Sequence, residues 1–103
     1  MIRVMYRWTI NPGDEEQFIE HWKGGTHQIQ SHCEGAYGSF LIHSRKNPAQ
    51  YFGVARWESR EAWKAAQPII IGLKLPGPLP ETTEFYDELA DMPGEHPRKS
   101  ELP

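Results

Sequence analysis

The side chains best suited to chemistry in this chain of 103 residues are its 5 histidines. Imidazole is the only side chain whose ordinary pKa lies near neutrality, so a histidine is the natural general base. We expect His43, near the end of a predicted strand beside a hairpin, to be the first candidate and His21, on a predicted helix, to be the second. For every histidine, a solvated or capping role is the competing interpretation.

Arg56 and Tyr6 complete the set of predicted catalytic residues. A guanidinium keeps its charge when it is partly buried and offers several donors, which suits Arg56 to stabilise an oxyanion. The competing interpretation for Arg56 is a salt bridge to an acidic residue of the neighbouring strand, such as Glu84 or Glu88.

Aromatic side chains are expected to line a slot between a sheet and two helices. Tyr6 and Trp8 should point from the first strand toward the helices, where Trp22 and Trp63 would face them. The predicted ligand-binding residues are Trp8, Trp22, Trp63 and Phe40. The competing interpretation is a plain core, because aromatic residues that face a helix most often only pack.

The elements that position these residues follow from hydrophobic periodicity. Residues 2–10 alternate in polarity, which predicts a strand. Residues 14–31 carry apolar side chains at helical spacing, which predicts a helix; Gly24 and Gly25 in its middle imply a kink or a close approach. Further along the chain we expect a hairpin of strands 36–44 and 50–57, a short helix from residue 60 to about 67, and a last strand at 82–89.

Two segments fall outside these regular elements. Residues 68–80 are rich in both proline and aliphatic side chains; we expect them to leave the helix and to form a lid or a contact arm. The predicted domain therefore spans residues 1–92, and residues 93–103 are expected to be a mobile tail.

The order strand, helix, strand, strand, helix, strand predicts an α+β fold of the ferredoxin-like type, with a four-stranded antiparallel sheet and two helices on one face. The other face would carry Met5, Leu41 or its neighbours, and later aromatic residues, an apolar area too large to leave in water. We therefore expect a homodimer with an enclosed barrel between two sheets.

Composition argues against several classes of protein. The formal net charge is -3 and the basic residues are scattered, so no nucleic acid is expected as a partner. Metal ligands at local spacing are missing, and the longest apolar run is far shorter than the ~20 residues that span a bilayer. We therefore expect no membrane association and no cofactor. We also expect a cytoplasmic protein, because the chain begins without a secretory signal pattern and has 1 cysteine.

Residues 2–66 resemble the antibiotic biosynthesis monooxygenase family of dimeric α+β barrels. The resemblance rests on residues 4–8 leading into Pro12 and Gly13, on Phe18 and Trp22, and above all on residues 54–63, where a strand that ends Trp-Glu-Ser runs into a helix. It implies a monooxygenase that acts on an electron-rich aromatic or quinol substrate without a bound metal or flavin. Such an enzyme needs a base, an oxyanion-stabilising group and apolar walls.

Departures from the family pattern leave other functions open. Haem-degrading members have an asparagine at the position of Tyr6, and they have a Trp and a His in or just after the second helix, which here ends with Ala65, Ala66 and Gln67. Many other members have Glu and His at the positions of Ala55 and Ala66. The alternatives are a non-enzymatic module that binds a small ligand or dimerises, and a proton-transfer enzyme such as an isomerase or cyclase.

Overall fold

The computed structural model describes residues 1–94. Within them the chain forms six elements in the order β1 (Ile2–Thr9), α1 (Glu15–His32), β2 (Ala36–His43), β3 (Gln50–Trp57), α2 (Arg60–Leu73) and β4 (Thr82–Asp87). All strand pairs are antiparallel, and the sheet order is β2-β3-β1-β4. The predicted ferredoxin-like α+β fold is therefore confirmed.

The helix-facing side of the sheet carries the core. Alternate residues of β1 point toward the helices, as strand geometry requires, and Val4 at its centre has no exposed surface. Two groups of buried residues fill this side: Val4, Cys33, Trp57 and Ala66 in one, and Trp8, Ile10, Phe18 and Tyr51 in the other. The first strand therefore sets the position of both halves of the core.

The opposite side of the sheet, here called the open face, is covered by neither of the two helices within residues 1–94. Phe40 and Ile42 are each 49% exposed there, and Met5 and Phe52 share the face by register. Leu41 does not, because it pairs with Gly53 on the helix-facing side, so of the two expected alternatives, Leu41 or its neighbours, the second is the one that the structure shows. The apolar open face is formed by its neighbours Phe40 and Ile42 instead.

An irregularity in β2 accounts for this difference. Ala36 pairs with Trp57, but the next paired residue is Ser39, opposite Ala55, so the strand register shifts between them. A β-bulge adds a residue to one strand, which reverses the faces of every later position relative to strict alternation. Gly38 lies inside the bulge, where a residue without a side chain loses no packing.

The second helix is longer than the sequence predicts. The expectation that residues 68–80 leave the helix was wrong for residues 68–73, because α2 continues through Pro68 to Leu73. Pro68 deprives the Lys64 carbonyl of its helical donor, but both residues are exposed, so water can bond that carbonyl. Ile70, on the inner side of the helix, packs against the core and favours continuation.

Residues 75–80, here called the strap, return the chain from α2 to β4. Lys74 ends the helix in the left-handed conformation. The indole Nε1 of Trp8 donates to the Pro78 carbonyl oxygen at 3.1 Å, and the Glu81 amide donates to the Arg7 carbonyl oxygen at 2.7 Å. The strap is thereby held against β1 and α1.

The chain ends are described only in part. β4 ends at Asp87, two residues before the predicted limit, and Leu89 is exposed. Of the tail predicted for residues 93–103, residues 95–103 lie outside the described part of the chain. Within residues 1–94, neither helix is both long enough and apolar enough to cross a membrane.

Candidate active site

A cavity of about 660 Å³ lies between the two helices and the sheet. Its size falls within the ~300–1,000 Å³ typical of small-molecule sites. The inner wall is mainly aromatic and is formed by Tyr6, Trp8, Phe18, Trp22 and Trp63. The predicted aromatic slot therefore exists as an open space.

Tyr6 and Trp63 form the polar centre of this wall. The indole Nε1 of Trp63 donates a hydrogen bond to the phenolic oxygen of Tyr6 at 3.0 Å. Burial raises the pKa of Tyr6 above its ordinary value, while the bond from Trp63 acts in the opposite direction and more weakly. Tyr6 is therefore protonated at neutral pH. Its own O–H has no acceptor among residues 1–94.

The position of Trp63 is fixed from β4. Its ring meets Phe85 edge to face, with 4.7 Å between ring centroids and an interplanar angle of 83°. Arg60 covers Phe85, with the guanidinium carbon 4.4 Å from the ring centroid. These contacts hold the indole N–H in position toward Tyr6.

Gly53 forms the floor of the cavity. A Cβ at this position would lie 3.1 Å from Nε1 of Trp22 and 3.1 Å from Cζ3 of Trp8, closer than ordinary packing allows. Both indoles can therefore lie flat over β3 only because the residue beneath them has no side chain. Sequence reasoning did not identify Gly53 as a site residue, although a glycine inside a predicted strand signals a close approach.

His21 and His43 have different locations. His21 lines the cavity from α1, where a Cβ on Gly77 of the strap would lie 3.3 Å from the His21 Cβ. His43 borders a separate depression of about 340 Å³ instead. Its ring stacks on Tyr51 at 5.3 Å, and its Nδ1 lies 3.4 Å from the Pro48 carbonyl oxygen. Only the second-choice base is thus at the cavity.

Arg56 makes the salt bridge that was its alternative interpretation. It borders the cavity by its place in β3, but its pairing with Arg3 puts its side chain on the open face. Its Nη2 donates to Glu88 Oε2 at 2.8 Å, and Arg3 binds Glu88 Oε1 at 2.7 Å. The bond from Arg56 is the main reason that the pKa of Glu88 lies below its ordinary value.

Phe40 is the remaining predicted site residue, and the bulge in β2 places it on the open face, away from the cavity. The structure thus brings together five of the predicted residues: Tyr6, His21, Trp8, Trp22 and Trp63. It separates three from them: His43, Arg56 and Phe40.

Comparison with known proteins identifies the family. Residues 1–67 match the model of the antibiotic biosynthesis monooxygenase family, so this chain belongs to that family. The resemblance seen in the sequence is therefore confirmed. No curated protein matches the chain.

Several solved structures share the fold. A mutant of MhuD with two manganese protoporphyrin IX molecules bound per active site has a TM-score of 0.74 at 18% identity, covering 91% of this chain and 100% of that one. A heme-degrading protein from Mycobacterium tuberculosis has a TM-score of 0.68 at 19% identity, with coverage of 89% and 98%. The cofactor-independent oxygenase SnoaB from Streptomyces nogalater has a TM-score of 0.66 at 18% identity, with coverage of 90% and 97%.

The side chains at the cavity match the haem pattern implied by the sequence resemblance only at Trp63, since Tyr6 stands where that pattern has an asparagine. The helix α2, Arg60–Leu73, contains no histidine, cysteine or methionine that could ligate haem iron. Among residues 1–94, no group of three or more His, Cys, Asp or Glu side chains is arranged to hold a metal ion. The polar groups of Tyr6, Trp63 and His21 at the cavity are a phenol, an indole N–H and an imidazole.

Proposed function

We propose that this protein is a cofactor-independent monooxygenase that acts on an electron-rich aromatic or quinol substrate. The observation that carries the proposal is the Tyr6 hydroxyl on the cavity wall, which receives a bond from Trp63, has no acceptor of its own among residues 1–94, and has a pKa that burial raises above its ordinary value. A donor held in an apolar cavity stabilises negative charge on a ligand oxygen more strongly than water does.

The reaction uses this donor when the substrate becomes an anion. A base removes a proton from the substrate, and Tyr6 donates its hydrogen bond to the oxygen on which charge develops. The anion passes one electron to dioxygen, and the two radicals combine to form a carbon–oxygen bond. The resulting peroxide anion takes up the proton that the base removed and becomes a hydroperoxide. Loss of water from the resulting hydroperoxide leaves a new carbonyl, so that one oxygen atom enters the product and the other leaves as water.

His21 is the proposed base, since it is the one histidine among residues 1–94 that lines the cavity. Trp63 acts through Tyr6. By donating to the phenolic oxygen it polarises the O–H bond and strengthens the bond that Tyr6 donates to the substrate. The surrounding rings exclude water, which would otherwise compete for both groups.

An oxygen electrode tests the proposal with anthrones and naphthalene quinols as substrates. The expected result is oxygen uptake by the metal-free and flavin-free protein above the rate of autoxidation. One molecule of O2 should be consumed for each carbonyl formed. Saturable binding without oxygen uptake would instead support a ligand-binding module. A product formed without oxygen would support a proton-transfer enzyme.

We further propose that the protein works as a homodimer in which the open faces of two sheets cover each other. The half-exposed Phe40 and Ile42 support this, because such a surface is unfavourable in water. Sedimentation velocity at micromolar concentration tests it. A dimer is expected, and a monomer would contradict the proposal.

A further inference from the structure

The wall of the cavity changes in character along its length. The inner part is aromatic, whereas the part formed by the last turns of α2 and by the strap is aliphatic, with Ile70, Ile71, Leu75 and Leu79. The continuation of α2 through Pro68 carries Ile70 and Ile71 to the cavity. Leu75 lies against α1, with its Cδ1 3.5 Å from where a Cβ on Gly25 would be.

Two of these aliphatic residues stand where the cavity opens to solvent. Ile71 is 75% exposed and Leu79 is 88% exposed, yet both line the cavity. A side chain that is both mostly exposed and part of a cavity wall must lie at an opening. Lys74 is the only lysine that lines the cavity within residues 1–94; it is exposed, so its ammonium can reach water.

From this change of character we propose that the substrate is an aromatic head group that carries an aliphatic chain. The head lies against Tyr6 and Trp63, and the chain leaves the cavity across Ile71 and Leu79. This inference rests on the proposed function for the position of the head. A tailless ring would leave both exposed side chains in water, whereas an alkyl chain would remove their apolar surface from it.

A binding series tests the inference without any turnover. Oxidised 1,4-naphthoquinones with no alkyl chain and with linear 2-alkyl chains from ethyl to hexyl are titrated against the tryptophan fluorescence of the protein. We expect the dissociation constant to fall by about two- to fourfold for each added methylene that the wall covers. No dependence on chain length, or no binding by any member, would overturn the inference.

Matched variants locate the effect. The double variant Ile71→Ser with Leu79→Ser should bind the tailless quinone as the natural protein does, but should lose most of the dependence on chain length. Ile69→Ser is the control, because Ile69 is 44% exposed on the same helix and does not line the cavity. If the dissociation constant of the double variant still fell by the same factor for each methylene, or if the control lost this dependence equally, the inference would be overturned.

The same series separates this inference from the proposed function. If affinity rises with chain length through Ile71 and Leu79 but the protein consumes no oxygen, the site for the alkyl chain is supported and the oxygenase is rejected. Oxygen uptake with short and long substrates at equal KM would support the oxygenase and reject the chain site.

Discussion

The two faces of the sheet are built from alternate residues of the same strands, yet their side chains differ in type and in surroundings. On the helix-facing side, Gly53 leaves room for a cavity whose polar centre is the Tyr6 hydroxyl and the Trp63 indole N–H. On the open face, Glu88 joins the charged side chains of Arg3 and Arg56 beside exposed apolar residues. Because side chains alternate along a strand, one short segment can serve a reaction on one side and association on the other.

The face on which a side chain lies also decides whether it can stabilise an oxyanion in the cavity. Arg56 is already neutralised by Glu88, so its charge is committed to the open face. Tyr6 has an O–H without an acceptor among residues 1–94 and lies within the cavity. A neutral donor in an apolar site also avoids the large cost of burying an ion.

The largest expected effect comes from removing the donor on the helix-facing side. Tyr6→Phe should lower kcat for oxygen uptake by about 10²–10³-fold, the usual cost of losing one oxyanion donor. Tyr86→Phe is the control, because that exposed hydroxyl bonds to Glu84 outside the cavity. Equal activity of the two variants would remove Tyr6 from the mechanism.

The pH dependence of the donor has a defined sign. A phenol donates only below its pKa, and burial raises the pKa of Tyr6 above the ordinary 10.0. The midpoint for loss of this donor should therefore lie above pH 10. In a titration followed by absorbance, the natural protein should show a tyrosine that ionises at high pH, and the Tyr6→Phe variant should lack this ionisation.

On the open face, Phe40→Lys should weaken self-association by roughly thirtyfold or more, as expected for a central apolar contact of an interface. Ile69→Lys, on the helical side of the molecule, should leave association unchanged. Sedimentation velocity over a range of concentrations measures both. The cavity ligand should still bind to the Phe40 variant, and a dimer that persists would place the interface elsewhere.

Gly53→Ala should fill the floor of the cavity. Its Cβ must push Trp8 or Trp22 away from β3, so we expect a loss of about 1–3 kcal/mol in the free energy of unfolding and weaker quinone binding. Gly24→Ala is the matched control, since nothing lies within 4 Å of its Cβ, and it should stabilise α1 by up to about 1 kcal/mol. Urea denaturation with fluorescence detection measures both variants.

The smallest effect concerns the ion cluster. Since folding lowers the pKa of Glu88 from its ordinary 4.5, its contribution to stability is complete above that pH and disappears as the pH falls through the lower folded value. Glu88→Gln should therefore lower Tm at pH 7, and the difference from the natural protein should vanish in acid. Glu20→Gln, at an exposed position on α1, should change Tm little at either pH.

The fold and the aromatic part of the cavity wall could be predicted from the sequence because they depend on local periodicity. Alternation in β1 places Tyr6 and Trp8 correctly, and helical spacing places Trp22 and Trp63. The faces of β2 could not be predicted by alternation alone, because the bulge between Ala36 and Ser39 reverses them.

The end of α2 and the choice between the two interpretations of Arg56 depend on tertiary contacts that periodicity does not contain. Pro68 was expected to end α2, but its missing N–H falls on the exposed side of the helix while Ile70 packs inside. Arg56 is held by Glu88, which follows β4 and is brought near only when β1 and β4 pair. Such contacts exist only once the sheet has formed.

A crystal structure of the protein with a hydroxylated naphthoquinone tests the contrast between the two faces most directly. The account predicts a ligand oxygen within hydrogen-bonding distance of the Tyr6 hydroxyl, in the cavity bordered by Trp63, and a second copy of the chain covering Phe40 and Ile42. A ligand bound on the open face, with the aromatic cavity unfilled, would contradict it.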